Sequence, residues 1–378
     1  MGLITSPFFL HTISEYLDVF EFKKIVDVYP EIAKYSYNNI KYNITTNDIE
    51  TMELLIKYFN KVTFNTVDDC YILPLIRSAQ IKRDKILLSI VRFSTQYFQM
   101  TNKDLKYLPN LADLAVNNNF NISNKCIKKL TKLTTLRLQN KCPYITQQIC
   151  DHITNLTALQ LFNTTSVTDI KKLTKLVSLN LSCNTTITEK NIENLTNMTH
   201  LGLWNNIIIT GAIFKKMTNI TSLNLDCNEL ITDNDIENIT ELTALSLMSN
   251  NKITNKGLNK LTKLVHLELR NNYVITEECI RDKTNLTHLS IVNFVTKNDT
   301  LNKLTNLISL NISENNYVTN DAIKHLTKLT HLDIKYTDKI TYDGLINLTN
   351  LVTVGSYRLT PIAKELKIKR NNIRIISN

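Results

Sequence analysis

From position 111 onward the chain spaces its leucines by one rule. Beginning at Leu242 it reads LTALSLMSNNKITNKGLNKLTK, and at Leu264 it reads LVHLELRNNYVITEECIRDKTN. The same frame opens at Leu111, Leu133, Leu156, Leu176, Met198, Ile220, Leu286, Leu307, Leu329 and Leu351; most steps are 22 residues, the step after Leu156 is two shorter and the step after Leu286 one shorter. Each unit reads L-x-x-L-x-L-x-x-N-x-x-I-T-x-x-x-I-x-x-L-x-x. The L-x-L segment has the two-residue period of a strand, and the I-x-x-L segment behind it suits a short helix. A single unit cannot bury both apolar edges. Stacking can: strands pair about 4.8 Å apart, the leucines fill a continuous core, and the turn asparagine is placed to bond orphan backbone groups of the next coil.

This pattern resembles the leucine-rich-repeat family over about residues 111–356. The resemblance implies an α/β fold, a right-handed solenoid whose parallel sheet lines a concave face. The turn at Ile253-Thr254 to Gly257-Leu258 is similar to the cysteine-containing subclass, although Cys183 and Cys227 stand one place before the turn asparagine. In such a solenoid the non-leucine strand positions face outward. Trp204, the single tryptophan, occupies one of them between Leu203 and Asn205. Phe162 and Met248 are its equivalents two repeats away on either side, roughly 10 Å off by strand spacing. Arg137 and Arg270 are expected to share this column, with Asp226 and Glu268 adjacent. Exposed Trp, Phe, Met and Arg on a rigid surface suit a protein partner. The alternative is that Trp204 folds over Ser182 and Asp226 and covers core.

A second column carries His200, His266, His288 and His331. The other repeats place Asp, Thr, Ala or Ser there, and no third ligand is spaced to complete a metal site, so no metal or other cofactor is expected.

The first hundred residues follow another pattern. PFFLHTISEYLDVFEFKKIVDVYPEIAK, Pro7 to Lys34, spaces apolar residues by three to five, as short helices do, with Asp18 placed to cap the second. The stretch resembles an F-box, through Pro7, Leu10, Ile13, Tyr16, Leu17, Asp18, Phe22, Ile25 and Val28. It departs from that motif in a proline one residue closer to the helix and in Tyr29-Pro30-Glu31-Ile32 at its end. The resemblance implies that these residues bind a ubiquitin-ligase adaptor while the repeats present a substrate. The alternative is a plain helical cap for the solenoid. Residues 45–59 and 84–98 read as helices and KVTF, residues 61–64, as a strand. The expected organisation is a helical head at 1–40, a helical cap with degenerate repeats at 41–110, repeats at 111–360 and a basic cap at 361–378.

Composition narrows the function. The hydrophobic fraction of 43% is that of a folded soluble protein, and no run approaches the ~18 apolar residues of a membrane helix. The seven cysteines form no CxxC pair, which fits reduced thiols in the cytoplasm better than a disulfide framework. Asn-x-Thr sequons beside core leucines point the same way. The net charge of +10 is uneven: residues 1–50 hold four basic and seven acidic groups, residues 361–378 five and one. A basic end is more often a solvated cap than a nucleic-acid site, so charge alone does not call for nucleic acid. MGLITS fits the myristoylation pattern at Gly2, but residues 1–50 lack the polybasic partner signal that stable anchoring needs, so a membrane is not expected. Phosphate-loop, dinucleotide, nucleophile-elbow and zincin motifs do not occur. No catalytic residue is assigned, and the expected function is non-enzymatic protein binding.

Overall fold

A computed structural model describes residues 42–45, 62–66, 84–95, 100–357, 361–370 and 373–376. The F-box-like positions 7–28, Gly2 and most of the helix expected at 45–59 lie outside the described residues. The chain divides into two compact units, one ending at Lys175 and one beginning at Leu176.

In the first unit, β1 (Tyr42–Thr45), β2 (Val62–Thr66), β3 (Ile90–Thr95), β4 (Asp113–Asn117), β5 (Thr135–Gln139) and β6 (Ala158–Phe162) follow one another in chain order, each parallel to its predecessor. The strand expected at 61–64 is β2. The helix expected over 84–98 is corrected: the helix α1 (Asp84–Ser89) is short and the chain turns into β3, burying Ile90, Phe93 and Thr95 completely. Ile-Val-Arg-Phe-Ser-Thr is β-branched and aromatic, and a neighbouring strand with an open edge outweighs the weak helical spacing.

The second unit repeats the arrangement from β7 (Ser178–Asn180) through β8 (His200–Gly202), β9 (Ser222–Asn224), β10 (Ala244–Ser246), β11 (His266–Glu268) and β12 (His288–Ser290). It continues through β13 (Ser309–Asn311), β14 (His331–Asp333), β15 (Thr353–Gly355) and β16 (Arg374–Ile376). The register is that of the sequence repeat: Leu201 lies beside Leu223 and Leu245 beside Leu267. The basic tail thus contributes a strand of its own, behind a helix over Pro361–Lys369 that buries Ile362, Ala363 and Leu366.

Two ladders of side chains stitch the coils. The first is the turn asparagine, buried at Asn184, Asn206, Asn228, Asn250 and Asn272. Asn206 Nδ2 donates to the carbonyls of Leu181 (2.9 Å) and Asn184 (3.2 Å), while its Oδ1 accepts from the N–H groups of Ile208 and Ile209. Asn228, Asn250 and Asn272 repeat these contacts one coil on. The asparagine therefore bonds the preceding coil and its own turn, not the next coil as expected from sequence. All four of its hydrogen-bonding positions are used, which is what burying an amide requires. Phe294 takes this place in the coil that is one residue short, and Asn315 resumes by donating to the Phe294 carbonyl at 2.7 Å. The residue before the ladder adopts a left-handed backbone, φ 53° at Cys183, 47° at Asn205 and 50° at Cys227. Asparagine tolerates that conformation best after glycine, which accounts for the recurrent Asn-Asn pairs.

The second ladder explains the Ile-Thr turn. Each threonine opens a helical turn in extended backbone, and the first helical residue of the preceding coil reaches it. Asp233 accepts from Thr254 N (2.8 Å) and Thr254 Oγ1 (2.6 Å); Asn255, Asn298 and Asn320 accept from the N–H of Thr276, Thr319 and Thr341 through Oδ1 and donate from Nδ2 to the same threonines' Oγ1.

Candidate functional site

The outward strand positions form three columns. In the second unit the first two columns line an open groove of about 550 Å³ running across β7 to β13. Its lining is polar: the small Ser178, Asn180, Ser222, Ser246 and Ser290, with Gly202 at the centre, alternate with the larger His200, His266, His288 and Glu268. A Cβ on Gly202 would stand 2.9 Å from Asn180 Cγ, so glycine is what leaves the Asn180 amide its place.

Trp204 stands in the third column. Leu201 and Leu203, the leucines just before it, are buried, Leu203 completely, while Trp204 is 37% exposed. Ser182 and Asp226, its neighbours in that column, are both buried. The indole is thus half committed: exposed as a binding surface requires, and set among covered neighbours as the alternative held.

The other predicted residues divide. Arg270 is exposed and Met248 half-buried in the third column, with Glu268 half-buried in the middle one. Asp226 shares the column of Trp204 instead of lying beside it, and it is buried. Ser246 Oγ (2.6 Å), Met248 N (2.7 Å) and Asn224 Nδ2 (2.8 Å) all donate to it. A carboxylate so satisfied is scaffold for its neighbours. Ser246 has one proton, given to Asp226; its oxygen lies 3.4 Å from Glu268. Burial first, and then the charge of Asp226, push the Glu268 carboxyl above the usual range.

Arg137 and Phe162 belong to the first unit. Arg137 pairs with Gln160, whereas Gln139 pairs with Phe162, so Arg137 sits in the middle column and not in that of Phe162. Its guanidinium is bidentate on the buried Asp113, at 2.8 and 2.7 Å, and Arg92 holds the same carboxylate at 2.7 Å. The seven residues therefore do not form one constellation.

The histidine column was set aside at the sequence level, yet it lines the groove. His266 and His288 pair across β11 and β12, ring centroids 4.1 Å apart and edge to face. Thr287 Oγ1 lies 2.8 Å from His288 Nδ1 and 3.4 Å from the Val265 carbonyl. Thr199 and Thr330 hold His200 and His331 in the same way. Burial and the neighbouring His266 and His331 lower the His288 pKa. The signal that would have found this face is the run of small residues in two adjacent columns, not the large side chains in the third. Among the described residues no three His, Cys, Asp or Glu converge as metal ligands, and no helix is long and apolar enough to cross a membrane.

One strand per repeat in parallel register, a leucine core and a buried asparagine at most of the coil turns define the leucine-rich-repeat class of solenoid, an α/β fold. No protein-family model matches the sequence, and no curated protein matches it. Among solved structures the chain is similar to an internalin from Listeria monocytogenes, at 23% identity and TM-score 0.46, covering 75% of this chain and 92% of that one. It is similar to the TLR13–ssRNA13 complex at 19% identity and TM-score 0.48, covering 84% of this chain and 53% of that one. The Rad7–Elc1 complex in yeast matches at 14% identity and TM-score 0.45, over 98% of this chain and 90% of that one.

Proposed function

We propose that the protein is a non-enzymatic binding module of the cytoplasm that holds a protein partner on the strand-lined face of its second unit. The observation that carries this is the groove of about 550 Å³, lined by polar side chains and bordered by the half-exposed Trp204. A groove of that kind leaves backbone-deep room for side chains of a partner, and a tryptophan at its margin is the residue type that most often dominates binding energy. Trp204→Ala and Ser222→Arg, the latter filling the groove, are expected to keep the melting temperature and abolish retention of the partner that the unmodified chain retains in an affinity pull-down. A large loss of stability in Trp204→Ala, the several kcal/mol typical of core truncation, refutes the placement.

The finer reading is a substrate receptor of a cullin-type ubiquitin ligase. It rests on the F-box-like residues Leu10, Ile13, Tyr16, Leu17, Asp18, Phe22, Ile25 and Val28, and its rival is a scaffold whose amino terminus only caps the repeats. Titration of the full chain with the host's ubiquitin-ligase adaptor separates them: the receptor reading expects submicromolar binding lost in Leu17→Asp, and the scaffold reading expects none.

A further inference from the structure

The first unit carries a charge pattern that protein binding on the other unit's groove does not use. Residues 101–175 hold eleven Lys and Arg against four Asp and no Glu. Two of the four acids are buried: Asp104 accepts from Thr101 N and Oγ1, and Asp113 is held by Arg92 and Arg137. The positive charge stands at the turn that closes each repeat and leads into the next strand. Leu130 N donates to Ile127 O and Leu173 N to Ile170 O, at 2.9 and 3.0 Å. The same turn thus sets Lys128, Lys129 and Lys132 in one coil and Lys171, Lys172 and Lys175 in another. Lys106 takes the place of Lys128 one coil earlier. All seven are exposed.

Their partners leave most of the charge standing. Lys132 and Lys175 donate to the neutral amides of Asn110 and Asn155, each at 2.7 Å. Among the described residues the acids on this face are Asp151, paired with Lys172 at 2.5 Å, and Asp169, 3.9 Å from Lys171. The second unit is an internal control. In the same fold, Lys216 pairs with Glu193 and Lys263 with Glu241 at the equivalent turns, and residues 176–357 hold sixteen basic against eighteen acidic groups. The repeat geometry does not demand lysine at these positions.

We propose that the row of repeat-closing turns of the first unit, through Lys106, Lys128, Lys129, Lys132, Lys171, Lys172 and Lys175, binds the phosphate backbone of duplex nucleic acid without reading its sequence. From the coil of Lys106 to that of Lys171 are three steps of about 4.8 Å. A duplex carries one charge per about 1.7 Å of axis, so roughly eight phosphates lie along that length, comparable with the lysines available. Lysine is a point charge on a flexible stem, suited to phosphates and without the bidentate fork that reads guanine. The exposed apolar side chains among these turns are Leu88 and Tyr107, two against seven lysines.

The test is fluorescence anisotropy of the full chain with a 20-base-pair duplex across a salt series. Each phosphate neutralised contributes about 0.9 to the slope of log K against log salt. The expected result is a slope magnitude of about 4 or more, reduced by about 3 to 4 in Lys128→Glu/Lys129→Glu/Lys171→Glu/Lys172→Glu. The charge-matched control Lys215→Glu/Lys216→Glu/Lys260→Glu/Lys303→Glu in the second unit is expected to keep both affinity and slope. Equal loss in both variants assigns the effect to net charge and overturns the proposal. So does absence of binding by the unmodified chain at 50 mM salt. Tighter binding to poly-glutamate or to vesicles containing phosphatidylserine gives the face to an acidic protein segment or to a membrane, and overturns it likewise. Lysine exposure makes misfolding of the variants a minor concern, and the slope of the unmodified chain is read independently of them.

Discussion

Lys283 occupies a place the repeat reserves for leucine; its column neighbours Leu261 and Leu304 are fully buried. Its ammonium donates to the carbonyls of Leu258 (2.8 Å) and Leu261 (3.1 Å), and burial holds its pKa below 10.5. A buried cation held by two carbonyl dipoles, with no carboxylate among the described residues in salt-bridge contact, costs stability that an apolar side chain would not. Lys283→Leu is therefore expected to stabilise by about 1–2 kcal/mol at pH 7. The folded-state pKa is depressed, so below 10.5 the unfolded chain binds the proton more readily and the unmodified protein loses stability as pH falls. The gap to the variant should be widest at neutral pH and narrow above pH 10.5, read as urea midpoints at pH 7 and 11. Residue identity in a column was legible from the sequence; which side chains their neighbours would claim was not. Asp226 read as exposed because position 7 of the repeat faces outward, and only the Ser246 hydroxyl and the Met248 amide show that it is taken. Arg137 was assigned to the wrong column by two positions, a slip that periodicity alone does not flag, since both columns point outward.

Strand and short helix alternate as the L-x-L and I-x-x-L patterns predict. The Ile-Thr turn was visible as a motif, but its purpose needed coordinates. Gly257 is the first test of that purpose. Inside a helical turn, glycine to alanine ordinarily gains about 1 kcal/mol. Here a Cβ would run into the Asp233 carboxylate that caps Thr254. Gly257→Ala is expected to destabilise the unmodified chain, and to be neutral or stabilising once Asp233→Ala has removed the obstruction. A double-mutant cycle by denaturant titration reads the sign change; additive effects would mean that the two coils are not coupled there. Where local signals competed, as over residues 84–98, the strand was missed because its hydrophobic spacing also satisfies a helix.

On the scale of the molecule, the repeat made the architecture legible before any coordinate, because a 22-residue period with a two-residue alternation inside it has few solutions. The division at Lys175 and Leu176 was not legible. It falls at the end of the repeat that is two residues short, a repeat in which no helix forms after β6. Stacked repeats unfold as neighbours couple, so a coil lacking its helical segment is a place for cooperativity to weaken. Trp204 reports the second unit alone. Urea unfolding followed by its fluorescence is expected to have a different midpoint from hydrogen exchange at the buried amides of β4 and β5; coincident midpoints would show the whole array to be one cooperative unit.

The asparagine ladder from Asn184 to Asn272 has one further consequence. Every coil in that stretch offers the next the same two carbonyls and asks the previous one for the same two, so any coil can follow any other. Duplication or excision of one 22-residue period between Asn206 and Asn272 would join faces that already match. Repeat number there is free to drift by genetic copying errors while the fold persists. Across Phe294, which has no amide to donate, it is not. The chain carries in its turn residues a record of where it can lengthen and where its length is fixed.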